Sequence, residues 1–309
     1  MQTHSLTARL APARPPFLLL ALACVGLGVA LAWQLGWNAR TIWVDGALAL
    51  IGGVAAHVAV NALNEYLDFR SGLDLITQRT PFSGGSGALP AHPQLATYAL
   101  RMGLVAVAVT VCIGGVFMWL HPDRLPLLLP IGLLGLVLVV SYTPWITRHP
   151  LLCLVAPGLG FGPVMVLGTL VALTGRVSWP AVALSLVPFF LTNNLLLLNQ
   201  FPDVEADQRV GRRTGPMVWG LRTSVNVMGL QWALAGGVLV VLLVSGRMPG
   251  VTALGWAMLA ALCLWLVWVW RMLWRHAEAP SSPVPPCMAA NVGLSVGLPL
   301  VIAAFCLVG

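Results

Sequence analysis

The sequence predicts an all-α integral membrane bundle of nine spans, and three observations carry that reading. Only 8% of the 309 residues are charged, 59% are apolar, and mean hydropathy is +0.90. A soluble domain carries roughly 25% charged residues, and this much apolar surface cannot be hidden in one aqueous core. About 20 apolar residues cross the ~30 Å hydrocarbon layer, and polar breaks divide the chain into nine runs of that size, at 16–36, 42–66, 94–120, 124–146, 151–174, 178–202, 222–246, 250–274 and 285–308. The whole chain, 1–309, reads as one transmembrane domain.

The first run follows Arg9 and Arg14 and superficially resembles a secretory signal. It continues to about Gly36 without a cleavage site, and Ala21-Leu22-Ala23-Cys24 lacks the leucine that a lipoprotein signal places three residues before its cysteine, so it reads as the first helix.

The second run carries His57, Asn61, Asn64 and Asp68 at intervals of four, three and four, which lines them along one helix face. His57 and Asn61 read equally well as interhelical hydrogen-bonding residues that hold a bundle together. Asn64 and Asp68 lead directly into Arg70 and Asp74, and a functional reading suits them better. The loop beyond contains Arg79 and the stretch Thr80 to Gly87, TPFSGGSG, which lacks the lysine and the strand of a nucleotide-binding P-loop.

Runs three to five are plainer, apart from Tyr142 and Arg148 in the segment SYTPWITRHP after the fourth. The sixth ends in NQFPDVEADQRVGRRT, so Asn199, Asp203 and Asp207 follow at intervals of four and are expected on one face. Asn-x-x-x-Asp thus occurs at Asn64/Asp68 and again at Asn199/Asp203, 135 residues later, each at the end of the second helix in a block of four. That predicts a four-plus-four pseudo-repeat, with both acidic ends emerging on the same membrane face and meeting across a cavity.

Six of the nine carboxylates fall in these two clusters: Glu65, Asp68 and Asp74, then Asp203, Glu205 and Asp207. A charge near bilayer depth costs ~2.5–3.5 kcal/mol on insertion scales, so acids placed there are expected to bind something. Hard carboxylate and amide oxygens suit Mg²⁺, which binds through one or two carboxylates together with the phosphates of a substrate, and do not suit zinc. Arg70, Arg79, Arg209, Arg212 and Arg213 stand beside the clusters and could clamp the same phosphates, although cytoplasmic loops gather arginine in any case.

All sixteen basic residues are arginine, and twelve of them fall on one set of alternate loops and helix ends while Arg40, Arg124, Arg176 and Arg247 fall on the other. That asymmetry predicts a cytoplasmic N-terminus, both acidic clusters on the cytoplasmic side, and a C-terminus outside. The six cysteines show no C-x-x-C pair and read as small core residues. Trp33, Trp37, Trp43, Trp119, Trp145, Trp179 and Trp274 lie near run ends and read as interfacial anchors.

These residues resemble the UbiA superfamily of intramembrane prenyltransferases. Asn64-Glu65-Tyr66-Leu67-Asp68 is similar to its N-D-x-x-D motif, and Asp203-Val204-Glu205-Ala206-Asp207 to its D-x-x-x-D motif. Gly72 and Asp74, and then Asn199 with Gly211-Arg212-Arg213-Thr214, resemble the menaquinone-pathway (1,4-dihydroxy-2-naphthoate polyprenyltransferase) branch. The resemblance implies nine helices around a central cavity, and Mg²⁺ held by Asn64, Asp68, Asp74, Asp203 and Asp207. It implies an isoprenyl diphosphate bound there, with Asn199 and arginines such as Arg70, Arg79, Arg148, Arg212 and Arg213 as diphosphate contacts and Tyr142 near the reacting end. An allylic carbocation would then be captured by an aromatic, quinone-precursor acceptor. Two departures stand out: Glu65 replaces an aspartate, and Ile146 stands where some members have lysine.

The partners implied are the isoprenyl diphosphate, the aromatic acceptor and the lipid bilayer, with no nucleic acid. The rival reading is a multi-span transporter with an acidic ion site, which a four-plus-four repeat would also suit.

Overall fold

A computed structural model describes residues 5–37, 39–247, 253–277 and 285–308. Among these residues the regular structure is all helical, with no strand, and eight helices are long and apolar enough to cross a bilayer. The principal helices among the described residues are α1 (Leu19–Gln34), α2 (Ala39–Ser71), α3 (Ala96–Leu120), α4 (Leu125–Ser141), α5 (Pro150–Thr174), α6 (Trp179–Asn199), α7 (Gly215–Val244), α8 (Ala253–His276) and α9 (Pro285–Val308). The helix outside the eight is α8; it stands where the run 250–274 was expected, and residues 250–252 lie outside the described ones.

Several boundaries differ from the expected runs, each for a local reason. The second helix continues past 66 to Ser71, carrying Asp68 inside it, and stops at Gly72, whose φ of 81° is the left-handed conformation that ends helices. The sixth stops at Asn199, not 202: Pro202 cannot continue the hydrogen-bond ladder, and 200–203 form a turn into a short helix, Val204–Arg209. Asn199, Asp203 and Asp207 therefore do not share one continuous helix face as the spacing suggested. α7 begins at Gly215, but its backbone breaks at Gly220 (φ 79°, ψ 164°), a conformation open almost only to glycine, so its membrane-crossing part starts close to the expected 222.

The bundle packs around α1, buried on nearly every side by α2, α5 and α9. Small residues permit the close approach: a Cβ on Gly28 would lie 2.6 Å from the Thr169 Cβ. Midway, α5 widens into a π-helical stretch, Gly160–Leu167, that contains Pro163, and Gly160, Phe161, Val164 and Met165 from it line a central cavity.

That cavity encloses about 330 Å³. Its walls come from α1 to α6, so the two halves of the pseudo-repeat contribute unequally, but Asn64 of α2 and Asn199 of α6 both face it. Ala49 and Asn64 lie on its wall at either end, and at ~1.5 Å per residue the helix between them rises about 22 Å. Opposite the acidic end, Arg124 is buried, donates to the Ala172 carbonyl and lies over the Trp37 ring at 4.8 Å.

Of the expected interfacial tryptophans, Trp43 and Trp119 are about four-fifths exposed, as anchors should be. Trp37 and Trp274 are partly buried and carry Arg124 and Arg222 over their rings instead, as cation–π platforms.

Candidate active site

The two acidic clusters meet at one end of the cavity. Arg212 donates from one terminal nitrogen to the Asp68 carboxylate and from the other to Asp207 at 3.1 Å, so a single guanidinium joins the two motifs. Asn64 donates to the second oxygen of Asp68, one helical turn away. Thr77, just past α2, donates its hydroxyl to Asp203, and so ties the loop after the first motif to the second motif. Glu205 faces outward and is exposed.

Burial dominates the electrostatics. It raises Asp203, against the Thr77 hydroxyl and Arg212, and pushes Asp207 up to about 7, with Arg212 opposing and Asp203 and Asp68 adding to it. Asp74 is pushed up to about 8 by burial and by the nearby Glu65 and Asp68. Its Oδ2 is buried with no hydrogen-bond partner, as is Oδ1 of Asn199, whose amide nitrogen donates to the Phe82 carbonyl at 3.0 Å.

These oxygens fit a hard divalent cation chemically: orphaned acceptors on Asp74 and Asn199, and carboxylates whose present counter-charge is Arg212. Among the described residues no three His, Cys, Asp or Glu side chains are yet drawn together as a metal cage.

Tyr142 lines the cavity beside Asn64 and Asn199, and burial, with Cys153 next to it, holds its phenol well above its ordinary value. Arg70, Arg79, Arg148 and Arg213 are exposed. Arg79 packs on the glycine loop so closely that a Cβ on Gly87 would lie 1.2 Å from its Nη1, and Gly87 has φ of 74°. Of the expected arginine contacts, then, Arg212 alone lies between the carboxylates.

Sequence reasoning missed Arg14. It stands at the cavity wall just before the first helix, in a left-handed conformation (φ 50°, ψ 61°), and donates from Nε to Glu65 at 2.8 Å. Asn61 fixes the preceding turn by donating to the Ala13 carbonyl at 3.0 Å. The only local signal was the Pro15-Pro16 pair that follows. Thr77 and Ser86 were missed as well, because side-chain hydroxyls in loops carry no periodicity.

Away from the mouth the walls are apolar. His57 is buried edge-on against Phe161 at 4.7 Å, and Thr110 and Thr169 direct their hydroxyls to carbonyls of their own helices. Below His57, Phe117, Met118, Leu128 and Ile131 continue the lining.

The fold has solved counterparts. A UbiA homologue from Archaeoglobus fulgidus bound to DMAPP and Mg²⁺ superimposes with a TM-score of 0.67 at 12% identity, covering 97% of this chain and 99% of that one. The same homologue bound to GPP and Mg²⁺ gives 0.65, and an apo homologue from Aeropyrum pernix K1 gives 0.62 at 18% identity, covering 94% of this chain and 97% of that one. In sequence, the chain is 28% identical over 254 residues to a 1,4-dihydroxy-2-naphthoate octaprenyltransferase of Mycobacterium tuberculosis, covering 75% of this chain and 77% of that protein. It is 26% identical over 195 residues to the Bacillus subtilis protein of the same name, a match spanning 61% of this chain and 59% of that protein's length. Residues 38–284 match the UbiA prenyltransferase family, and the chain, a multi-pass membrane protein and a prenyltransferase by class, belongs to that family.

Proposed function

We propose that this protein transfers an isoprenyl group from an allylic diphosphate to an aromatic quinone precursor resembling 1,4-dihydroxy-2-naphthoate. The observation that carries the reading is the joining of the two acidic motifs by Arg212 at the polar mouth of a long apolar cavity. The diphosphate belongs at that mouth and the hydrocarbon chain in the cavity, where apolar burial is worth roughly 0.8 kcal/mol per CH₂.

Asp68, Asp74, Asp203 and Asp207, with the amides of Asn64 and Asn199, would hold Mg²⁺, which would supply positive charge to the leaving group. Arg212, freed from its carboxylates, donates to the diphosphate as the bond from its oxygen to the allylic carbon breaks and the electron pair leaves with the oxygen. The dry walls protect the allylic cation from water until a ring carbon of the acceptor supplies an electron pair. The ring carbon then loses a proton or, where it bears a carboxyl group, carbon dioxide, and the electron pair of the broken bond restores aromaticity. Tyr142, kept protonated by burial, orients the reacting end as a neutral hydrogen-bond donor. The acceptor assignment rests on the naphthoate-prenylating relatives.

The whole chain acts as one domain, with the N-terminus and the site on the cytoplasmic side, an orientation supported by the twelve-to-four arginine asymmetry. A transporter would need a polar path through the bundle, and the apolar wall below His57 favours a dead-ended substrate chamber. Membranes supplied with Mg²⁺, allylic diphosphates of graded length and a panel of aromatic acceptors should yield a prenylated ring detected by mass. Asp68→Ala and Asp203→Ala should each abolish diphosphate release while remaining folded in detergent. Flux across sealed vesicles with no new covalent product would sink the reading.

A further inference from the structure

Glu65 is fully buried, and both of its oxygens are engaged. Oε1 accepts from Arg14 Nε at 2.8 Å and from the Ser86 backbone amide at 2.6 Å, while Oε2 accepts from the Ser86 hydroxyl at 2.9 Å. Three segments, the turn before α1, the last two turns of α2 and the glycine loop, converge on one carboxylate. The loop is shaped for that approach. A Cβ on Gly85 would lie 2.8 Å from Asp74 Oδ1 and 3.4 Å from Glu65 Oε1, so only glycine lets the backbone pass, and φ there is 77°.

We propose that Glu65 is a positioning residue: it fastens Arg14 and the glycine loop over the cavity mouth, and it is not a metal ligand although it stands inside the first acidic motif. The extra methylene relative to aspartate is what lets the carboxylate reach both Ser86 and Arg14. A carboxylate that already accepts three hydrogen bonds, one of them from a guanidinium, keeps only about one of its roughly four acceptor sites and has its charge already paired, which makes it a poor cation ligand while the loop is held. Arg14 lines the cavity, and its contact to Glu65 engages one of the guanidinium's several N–H donors. Held in its left-handed turn, it presents positive charge to an anionic headgroup entering the mouth. This inference rests on the prenyl-transfer reading for its substrate but not for the staple itself.

Glu65→Gln and Glu65→Asp discriminate. As a staple, Glu65 tolerates neither: Gln loses the charge and Asp the reach. Both should raise KM for the allylic diphosphate about tenfold, with kcat and the Mg²⁺ half-saturation point moving less than about twofold. Ser86→Ala should raise KM by a smaller factor, about threefold, because the backbone amide still donates. In metal-free protein, amide hydrogen exchange across 83–88 should quicken in both Glu65 variants. Wild-type KM in Glu65→Asp, together with a tenfold higher Mg²⁺ requirement in Glu65→Gln, would make Glu65 a ligand and overturn the proposal, as would unchanged exchange in the loop. If the parent makes no prenylated product from any donor, the prenyl-transfer reading fails by itself; the exchange measurement still decides the staple.

Discussion

The guanidinium of Arg212 lies on the carboxylate of Asp68, 144 residues earlier in the chain, and its second terminal nitrogen reaches Asp207. One side chain thereby bridges the two acidic motifs. Removing one partner of such a buried pair costs about 3–5 kcal/mol, because it strands the remaining charges.

Arg212→Ala should therefore melt well below the parent in detergent with chelator, and Mg²⁺ should recover part of the difference. Its kcat should fall by roughly 10²–10³, since a donor aimed at developing charge is lost. A variant with parental melting in chelator and parental turnover would remove Arg212 from both roles.

The raised carboxylates make the metal response depend on pH. Asp207 at about 7 and Asp74 at about 8 both lie above the unfolded value of 3.8, so the folded state holds their protons more tightly than the unfolded state does. Their contribution is greatest below that value and is lost as pH rises through 7 and 8, so the metal-free protein weakens across this window. Mg²⁺ must displace those protons. The rise in melting temperature that Mg²⁺ produces should grow between about pH 6 and pH 8.5. A flat response across that range would mean that neither carboxylate meets the metal.

Ala49 lines the deep end of the cavity and is nearly buried. Ala49→Phe should fill it, shortening the longest donor chain accepted while five- and ten-carbon allylic donors still react, at a stability cost of about 1–3 kcal/mol. Products from a mixed pool of donors, separated by mass, report the shift. An unaltered chain-length distribution would show that the tail leaves the cavity elsewhere.

Tyr142→Phe removes the cavity's phenol with little change in volume. Its kcat should drop about ten- to a hundredfold with KM for the diphosphate nearly constant, because the hydroxyl acts on the reacting end and not on the phosphates. Since burial keeps this phenol protonated, the pH–rate profile of the parent should show no alkaline limb that disappears in the variant. A KM effect without a kcat effect would instead make Tyr142 a binding residue.

The spans were legible because bilayer thickness leaves its period in the chain, and the motifs were legible because acids are expensive in apolar runs. The helix end at Asn199 was not, since the polar pair Asn199-Gln200 is followed by the apolar Phe201 and gives no stop of its own, while Pro202 and the turn decide the geometry. Trp37 and Trp274 look like anchors in any window of sequence; what makes them platforms is an arginine brought from another helix or loop.

Composition, run lengths and the spacing of Asn64, Asp68, Asp203 and Asp207 determined the class, the approximate helix limits and the family of this protein. Tertiary structure alone decided which charges meet. Arg212, and not its exposed neighbour Arg213, sits between the carboxylates, and Glu65 turns to Arg14 and Ser86. Hydrophobic burial follows local pattern and can be read along the chain. Ion pairs in a low-dielectric interior depend on separations of a few ångströms between segments far apart in sequence, and only the packed bundle sets those distances.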